Sequence, residues 1–396
     1  MKTKNIEDIY ELSPLQQGML FHCLYAPEAE MYVAQRSYML NGQLNIDAFQ
    51  YGWQQVINRH TALRTSFHWE KSFDKPLQVV HRHLQQPVDY HDGRHLSPIE
   101  QQKLIEACWT KGRKACLEPG QAPLMQLCLI QLADESYEFI WTHHMMLLDG
   151  WSVPIIVKEV FSFYEGYSQN LQSSPGLSYP YGNYISWLQQ QDLDKAKAFW
   201  QHILKGFKNG TVLGIDKAPG QLPDKNDAYD QETIKFNRSL TQKLQSFANE
   251  HQLTVNTLVQ GAWSLLLSRY SGENDIVYGT TSSGRPATLP GVESMVGLFI
   301  NTLPVRVQIP AHASLLPWLI QLQKQQIKLR EYEYTPLAQI QQWANLSPGK
   351  PLFETIVVFE NYPVDETTRK HEETLDIKEI NAIEKTNYAI TLLAGL

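Results

Sequence analysis

The sequence predicts an α/β protein of two lobes, and three observations carry that expectation. Its 396 residues exceed what a single hydrophobic core usually organises, so two lobes of about 150–200 residues are expected. Helical and strand-like apolar patterns alternate along the whole length. A stretch rich in Ser, Pro, Gly and Asn, QNLQSSPGLSYPYG (169–182), reads as a linker. The elements on its two sides follow a similar order, as in a duplicated fold. The expected lobes are therefore residues 1–175 and 176–396.

The first half opens with a strand-like entry and a helix over residues 5–25. Ser13-Pro14 supplies an N-cap followed by a proline in the first turn. A second helix covers 45–58, with Asn45 as cap and Phe49, Trp53 and Val56 on one face. LRTSFHW and PLQVVH follow as strands around the turn SFDK (72–75), and a helix occupies 98–116. PLMQLCLIQL and YEFIWTHHMMLL form an antiparallel pair joined by ADES (133–136), and SVPIIVKEVFSFYEGYSQ is helical. In the second half, helices are expected at 192–205, 239–251, 254–270 and 313–331. Strands are expected at 231–237, 275–280, 300–308 and 353–362.

Composition excludes several classes of function. A net charge of -7 with a pI near 6.0 argues against nucleic acid, which rewards a basic footprint. The basic run KGRK (111–114) fits either an acidic partner or a solvated helix face. No apolar run approaches the roughly 18 residues of a spanning helix, and MKTKNIEDIYELSP has no signal-peptide core. A soluble, cytoplasmic protein is expected. The four cysteines (Cys23, Cys108, Cys116, Cys128) have no CxxC spacing, and buried reduced thiols are expected at Cys116 and Cys128.

One stretch raises a chemical question: WTHHMMLLDGWS (141–152). On a strand, His143 and Met145 would share one face and His144 would take the other. Asp149 would accept hydrogen bonds from the start of the next helix. Read on spacing alone, the stretch is a buried strand with a capping aspartate and locally satisfied histidines. No metal is expected: adjacent histidines on opposite faces do not converge on one ion, and HExxH or a Cys/His quartet is absent. GxSxG, Walker A and GxGxxG patterns are absent as well.

Six stretches taken together add a second reading. LSPLQQGMLFH (12–22), RHTALRTSF (59–67), HHMMLLDGWS (143–152), YGNYISWLQQQ (181–191), SGRP (283–286) and VGLFINTLPVRV (296–307) occur in this order. In that order they resemble the condensation domains of nonribosomal peptide synthetases, over essentially the whole chain and most closely the type that joins two L-residues. The resemblance implies two chloramphenicol-acetyltransferase-like lobes arranged in a V around a tunnel. It implies peptide-bond formation between donor and acceptor thioesters carried on the phosphopantetheine arms of two peptidyl carrier proteins, with an adenylation domain adjacent. No cofactor bound by the domain itself is implied.

The family motif is HHxxxDG. Counting back from Asp149-Gly150 puts the histidine assigned to catalysis at position 145, where this sequence has methionine. His144 then matches the first motif histidine, and His143 an extra one preceding it. The other alignment keeps His143-His144 as the pair and requires one inserted residue, hence a strand bulge; the gap-free alignment is favoured. His144, Met145, Asp149 and Gly150 are thus the catalytic positions, with His143, Trp151 and Asn301 along the substrate tunnel and Arg306 near Asn301. Asp149 is expected to pair with Arg285, while Arg59 and Arg64 are expected to be structural.

Methionine has no useful basicity, so an impaired domain is expected. The alternatives are a non-catalytic docking module, or a related epimerisation or acyltransferase domain. The family usually continues beyond TNYAITLLAGL (386–396), so the second lobe is expected to be incomplete at its end.

Overall fold

A computed structural model describes residues 5–27, 30–70, 74–171, 175–207, 210–213, 230–344, 351–360 and 375–396. It divides into two compact units, drawn from Met1–Gln190, Arg285–Phe299 and Tyr362–Thr386, and from Gln191–Gly284, Ile300–Asn361 and Asn387–Leu396. The units therefore interleave, which a single cut at 175/176 does not describe.

In the first unit, β1 (Ile6–Glu11) leads into α1 (Pro14–Tyr25) through a capping box in which Ser13 and Gln16 satisfy each other's backbone amides. β2 (Val33–Gly42), α2 (Ile46–Arg59), β3 (Thr65–His68), β4 (Leu77–His81) and β5 (Val88–Asp92) follow. Next come α3 (Pro98–Ala115), β6 (Met125–Ala133), β7 (Ser136–His144), α4 (Ser152–Ser168) and α5 (Gly182–Gln189). Asn45 caps α2 through the amide of Ala48, as the sequence predicts.

The apolar face of α2 explains how this unit is held. Phe49 and Trp53 are buried against Phe139 and Trp141 of β7, with ring centroids 5.0 Å apart for Phe49–Phe139 and for Trp53–Trp141. On another side Gly52 lets α2 approach α4, since a Cβ there would sit 2.6 Å from the Val160 carbonyl oxygen. Full burial of each such aromatic contributes about 1.5–3 kcal/mol.

The second unit contains α6 (Leu193–Ile203), α7 (Arg238–Glu250), α8 (Val255–Ser271), β8 (Asp275–Ser282) and β9 (Asn301–Gln308). It continues with α9 (Leu315–Arg330), α10 (Leu337–Trp343) and β10 (Thr355–Glu360). Its core gathers Trp200, Leu267, Tyr278, Val305 and Leu319. β11 (Leu375–Ile383) belongs to the first unit, and β12 (Ile390–Gly395) to the second.

The first unit holds a 3-stranded sheet, β1-β4-β3, and a 5-stranded sheet, β11-β2-β7-β6-β5; the second holds a 4-stranded sheet, β12-β10-β8-β9. β11 pairs antiparallel with β2, and that pairing places a late segment of the chain in the first unit.

Several expectations change. Residues 231–237 are exposed and carry no strand: nothing in their flanks pairs with them among the described residues. β7 stops at His144 rather than Leu148, because the chain turns where the Leu147 amide donates to the His144 carbonyl oxygen. LRTSFHW is only partly extended, since Thr61–Arg64 form a 3-10 turn. Residues 72–73 of SFDK, 172–174 of the linker and 361–362 of the last expected strand lie outside the described residues. No helix among the described residues is long and apolar enough to cross a membrane.

Candidate active site

The motif lies at the C-terminal end of β7 and in the turn that leads to α4. Both ladders that flank β7 run in unbroken register at this end: His143 pairs with Ala34 on β2 and with Met125 on β6. The irregularity of the β6–β7 ladder is at Gln131/Ala133, far from the histidines, so no bulge marks the histidine pair.

The strand end is fixed from three directions. The Met145 amide donates to the Tyr32 carbonyl oxygen (2.8 Å), and the His144 amide to that of Leu124 (2.9 Å). Gln16 of α1, already part of the capping box, donates through Nε2 to the Met146 carbonyl oxygen at 2.9 Å. The cap that starts α1 thereby also anchors the turn.

Both histidines are buried, His143 at 3% exposure and His144 at 1%. Burial drives each imidazole down to about 3, because a charged ring would lose its hydration; Arg36 and His144 add to the effect on His143. The His143 ring lies 4.9 Å from that of Trp141, and its Nδ1 has no hydrogen-bond partner among the described residues.

His144 is committed further. Its Nδ1 accepts from the Met146 amide at 3.1 Å, so in the neutral ring the proton sits on Nε2. Nε2 faces the Cys23 sulfur at 3.5 Å. The lone pair a base would need is therefore occupied by the backbone. Burial also pushes the Cys23 thiol up to about 11, which keeps it protonated. Among residues 141–149, Met145 alone is partly exposed.

The other end of the turn is an ion-pair network. Asp149 and Arg285 form a buried salt bridge, Oδ1 to Nη2 at 3.1 Å, with side chains 0% and 4% exposed. Asp149 Oδ1 accepts from the amide and hydroxyl of Ser152 at 3.0 and 2.8 Å, and Oδ2 accepts from the Phe299 amide at 3.1 Å. The Asp149 amide in turn donates to the Gly297 carbonyl oxygen. Asp149 thus binds the start of α4 as expected, although the capping position itself is Trp151.

Arg285 Nη1 donates to the carbonyl oxygens of Val292 and Met295, and its guanidinium lies 4.0 Å over the Phe299 ring. Desolvation lowers the affinity of Arg285 for its proton, and the Asp149 charge opposes that effect. A buried pair persists when its remaining hydrogen-bonding capacity is met, as it largely is here. Gly150 is half-buried in the turn. Trp151 donates through Nε1 to the Glu293 carbonyl oxygen at 3.2 Å, so it too ties the turn to the 285–299 strap.

Asn301, by contrast, belongs to the second unit. It is buried, and Nδ2 donates to the carbonyl oxygens of Glu333 and Thr335, both at 2.8 Å. Arg306 of the same strand is held by Asp275 (2.6 Å) and by the carbonyl oxygens of Ile203 and Lys205. Arg64 is buried, donating to the Ile57 carbonyl oxygen and to Glu7, while Arg59 reaches Glu159. Gln16, Cys23, Tyr32, Ser152 and the Phe299 amide are the participants that sequence reasoning did not single out. For Gln16 a signal existed: the S-x-x-Q pattern of a capping box.

Comparison with known proteins gives a consistent result. Residues 6–395 match the family described as Condensation domain. Linear gramicidin synthase subunits C and D of Brevibacillus parabrevis are 44% and 45% identical over 100% and 99% of this chain. Bacitracin synthase 3 of Bacillus licheniformis is 35% identical over 99% of the chain. The chain spans only 5%, 8% and 6% of those three proteins, respectively.

Among solved structures, the X-domain from teicoplanin biosynthesis aligns with a TM-score of 0.74 at 20% identity, covering 98% of this chain and 85% of that one. A four-domain nonribosomal peptide synthetase bound to AMP and glycine aligns with a TM-score of 0.74 at 17% identity, covering 99% and 30%. At these identities the likeness establishes the fold alone, a mixed α/β architecture of the two-lobed chloramphenicol-acetyltransferase-like class.

Proposed function

We propose a function from one premise: this chain belongs to the condensation-domain family of nonribosomal peptide synthetases. The proposed reaction joins a donor acyl group and an acceptor aminoacyl group, each held as a thioester on the phosphopantetheine of a peptidyl carrier protein. The acceptor nitrogen attacks the donor carbonyl carbon, a C–N bond forms, and the C–S bond breaks. The amine proton ends on the departing thiolate. An α-amino group titrates near pH 8, so part of it is already neutral, and alignment of the two tethered groups supplies much of the rate.

The finer reading is that Met145 occupies the place of the family's catalytic imidazole, so transfer is slow. The observation that carries it is the contrast inside residues 141–149. The histidines are buried, and the lone pair of His144 is engaged by the Met146 amide, whereas position 145 is partly exposed. Unbroken strand register at His143 supports substitution over insertion. A second reading, a docking module that binds carriers without turnover, rests on the same methionine.

The test uses two loaded carrier proteins and intact-mass detection of the amide product. Met145→His is expected to raise the rate by about 10²–10⁴, the usual yield of a positioned general base. Equal rates in both proteins would refute the assignment of position 145. Carrier binding without product in either protein would favour the docking reading.

A further inference from the structure

A cluster outside the motif has no part in the proposed chemistry. His91 on β5, Cys108 on α3 and Cys128 on β6 each offer one ligand atom, and these atoms lie within 4.8 Å of one another. Strand pairing builds half of it. β5 and β6 run parallel with Asp89 opposite Cys128 and His91 opposite Ile130. α3 covers this part of the sheet, packing Cys108 against Cys128 and Ile130 beside Leu104 and Ile105. Both sulfurs are buried. The imidazole, on the edge strand, keeps a side-chain exposure of 32%.

We propose that His91, Cys108 and Cys128 form a binding site for a thiophilic divalent cation, zinc by the chemistry of the donor set. Two thiolates and an imidazole are a common zinc combination, and a Zn–S bond of about 2.3 Å puts neighbouring tetrahedral ligands about 3.8 Å apart. The cluster needs to contract by no more than about an ångström. The charges also balance: two thiolates neutralise the cation, and the adjacent Asp89 is already paired with Lys111 at 2.6 Å. Loading would release the two thiol protons to solvent.

A further buried atom points the same way. Among the described residues, His91 Nε2 has no hydrogen-bond partner of good geometry, and Asp89 Oδ2 lies 3.4 Å from it. A water would complete four-coordination. Sequence spacing gave no hint of this site because positions 91, 108 and 128 come from three separate elements.

The test is a titration of the reduced, chelator-treated full chain with cobalt(II), followed by displacement with zinc. One equivalent of cobalt is expected to produce a near-ultraviolet thiolate-to-metal charge-transfer band that one equivalent of zinc abolishes. His91→Ala, a half-exposed edge position that leaves the core intact, and Cys108→Ser should weaken binding by more than the about 10–100-fold typical of losing an outer-shell partner. Cys116→Ser should leave the band unchanged. Absence of the band in the folded parent, or its persistence in both His91→Ala and Cys108→Ser, would overturn the proposal. Conversion of Cys108 and Cys128 to a disulfide at the same rate with and without zinc would overturn it too.

Discussion

The two ends of the turn between β7 and α4 are built on opposite principles. At Asp149, both carboxylate oxygens are satisfied by Ser152, the Phe299 amide and Arg285, and the strap 285–299 is locked to the start of α4. At His143 and His144, polar rings are buried with minimal compensation: one Nδ1 has no partner among the described residues, and the other is consumed by a backbone amide. The aspartate end fixes backbone geometry, while the histidine end is buried and leaves Met145 as the one partly exposed residue among 141–149. On the proposed function, a motif that looks like a row of catalytic groups divides into a frame and a single position, 145, from which chemistry would be done. In this chain that position holds methionine.

Breaking the frame should have the largest effect on stability. Arg285→Met leaves Asp149 buried without its counter-ion, and loss of one partner of a buried pair costs about 3–5 kcal/mol. A thermal melt should show that loss, and a variant that melts with the parent would remove the ion pair from its role as frame.

The histidine end should respond to acid. Each imidazole titrates near 3 in the folded state and near 6.5 when unfolded, so the unfolded chain binds more protons below that value. The stability is complete above about pH 6.5 and drains as pH falls toward 3, by about 1.4 kcal/mol per pH unit for each ring. Urea midpoints measured from pH 7 to pH 5 should fall more steeply with acid in the parent than in His143→Phe. Parallel curves would mean that His143 is not held neutral by burial.

The smallest effect is expected where α1 meets the turn. Ser13→Ala removes half of the capping box that orients Gln16 toward the Met146 carbonyl oxygen, for a loss of about 1 kcal/mol. Denaturant unfolding resolves a change of that size.

Helix starts were the most legible part of the fold, because Ser13-Pro14 and Asn45 announce themselves by local chemistry. β2 was missed: it is covered on both faces and buries Gln35 and Ser37, so its sequence does not alternate. β11 was missed because its partner, β2, is hundreds of residues away, beyond any window of periodicity. The strand expected at 231–237 had the right residues without a partner, and pairing decides. In the site, the pairing of Asp149 with Arg285 followed from the family resemblance, and the two side chains lie 3.1 Å apart. The commitment of His144 Nδ1 to a backbone amide, and of Asn301 to the carbonyls of Glu333 and Thr335, depends on turns that no short motif encodes.

The central claim, that position 145 is where an imidazole would act and that His143 and His144 are not bases, is tested most directly by a pH–rate profile. Single-turnover amide formation from loaded carriers would be followed in the parent and in Met145→His. The expected result is a slow parent whose rate tracks only the acceptor amine, and a faster variant with an added limb near the ordinary imidazole value of about 6.5. A parent that already shows an imidazole limb, with a rate equal to that of the variant, would contradict it.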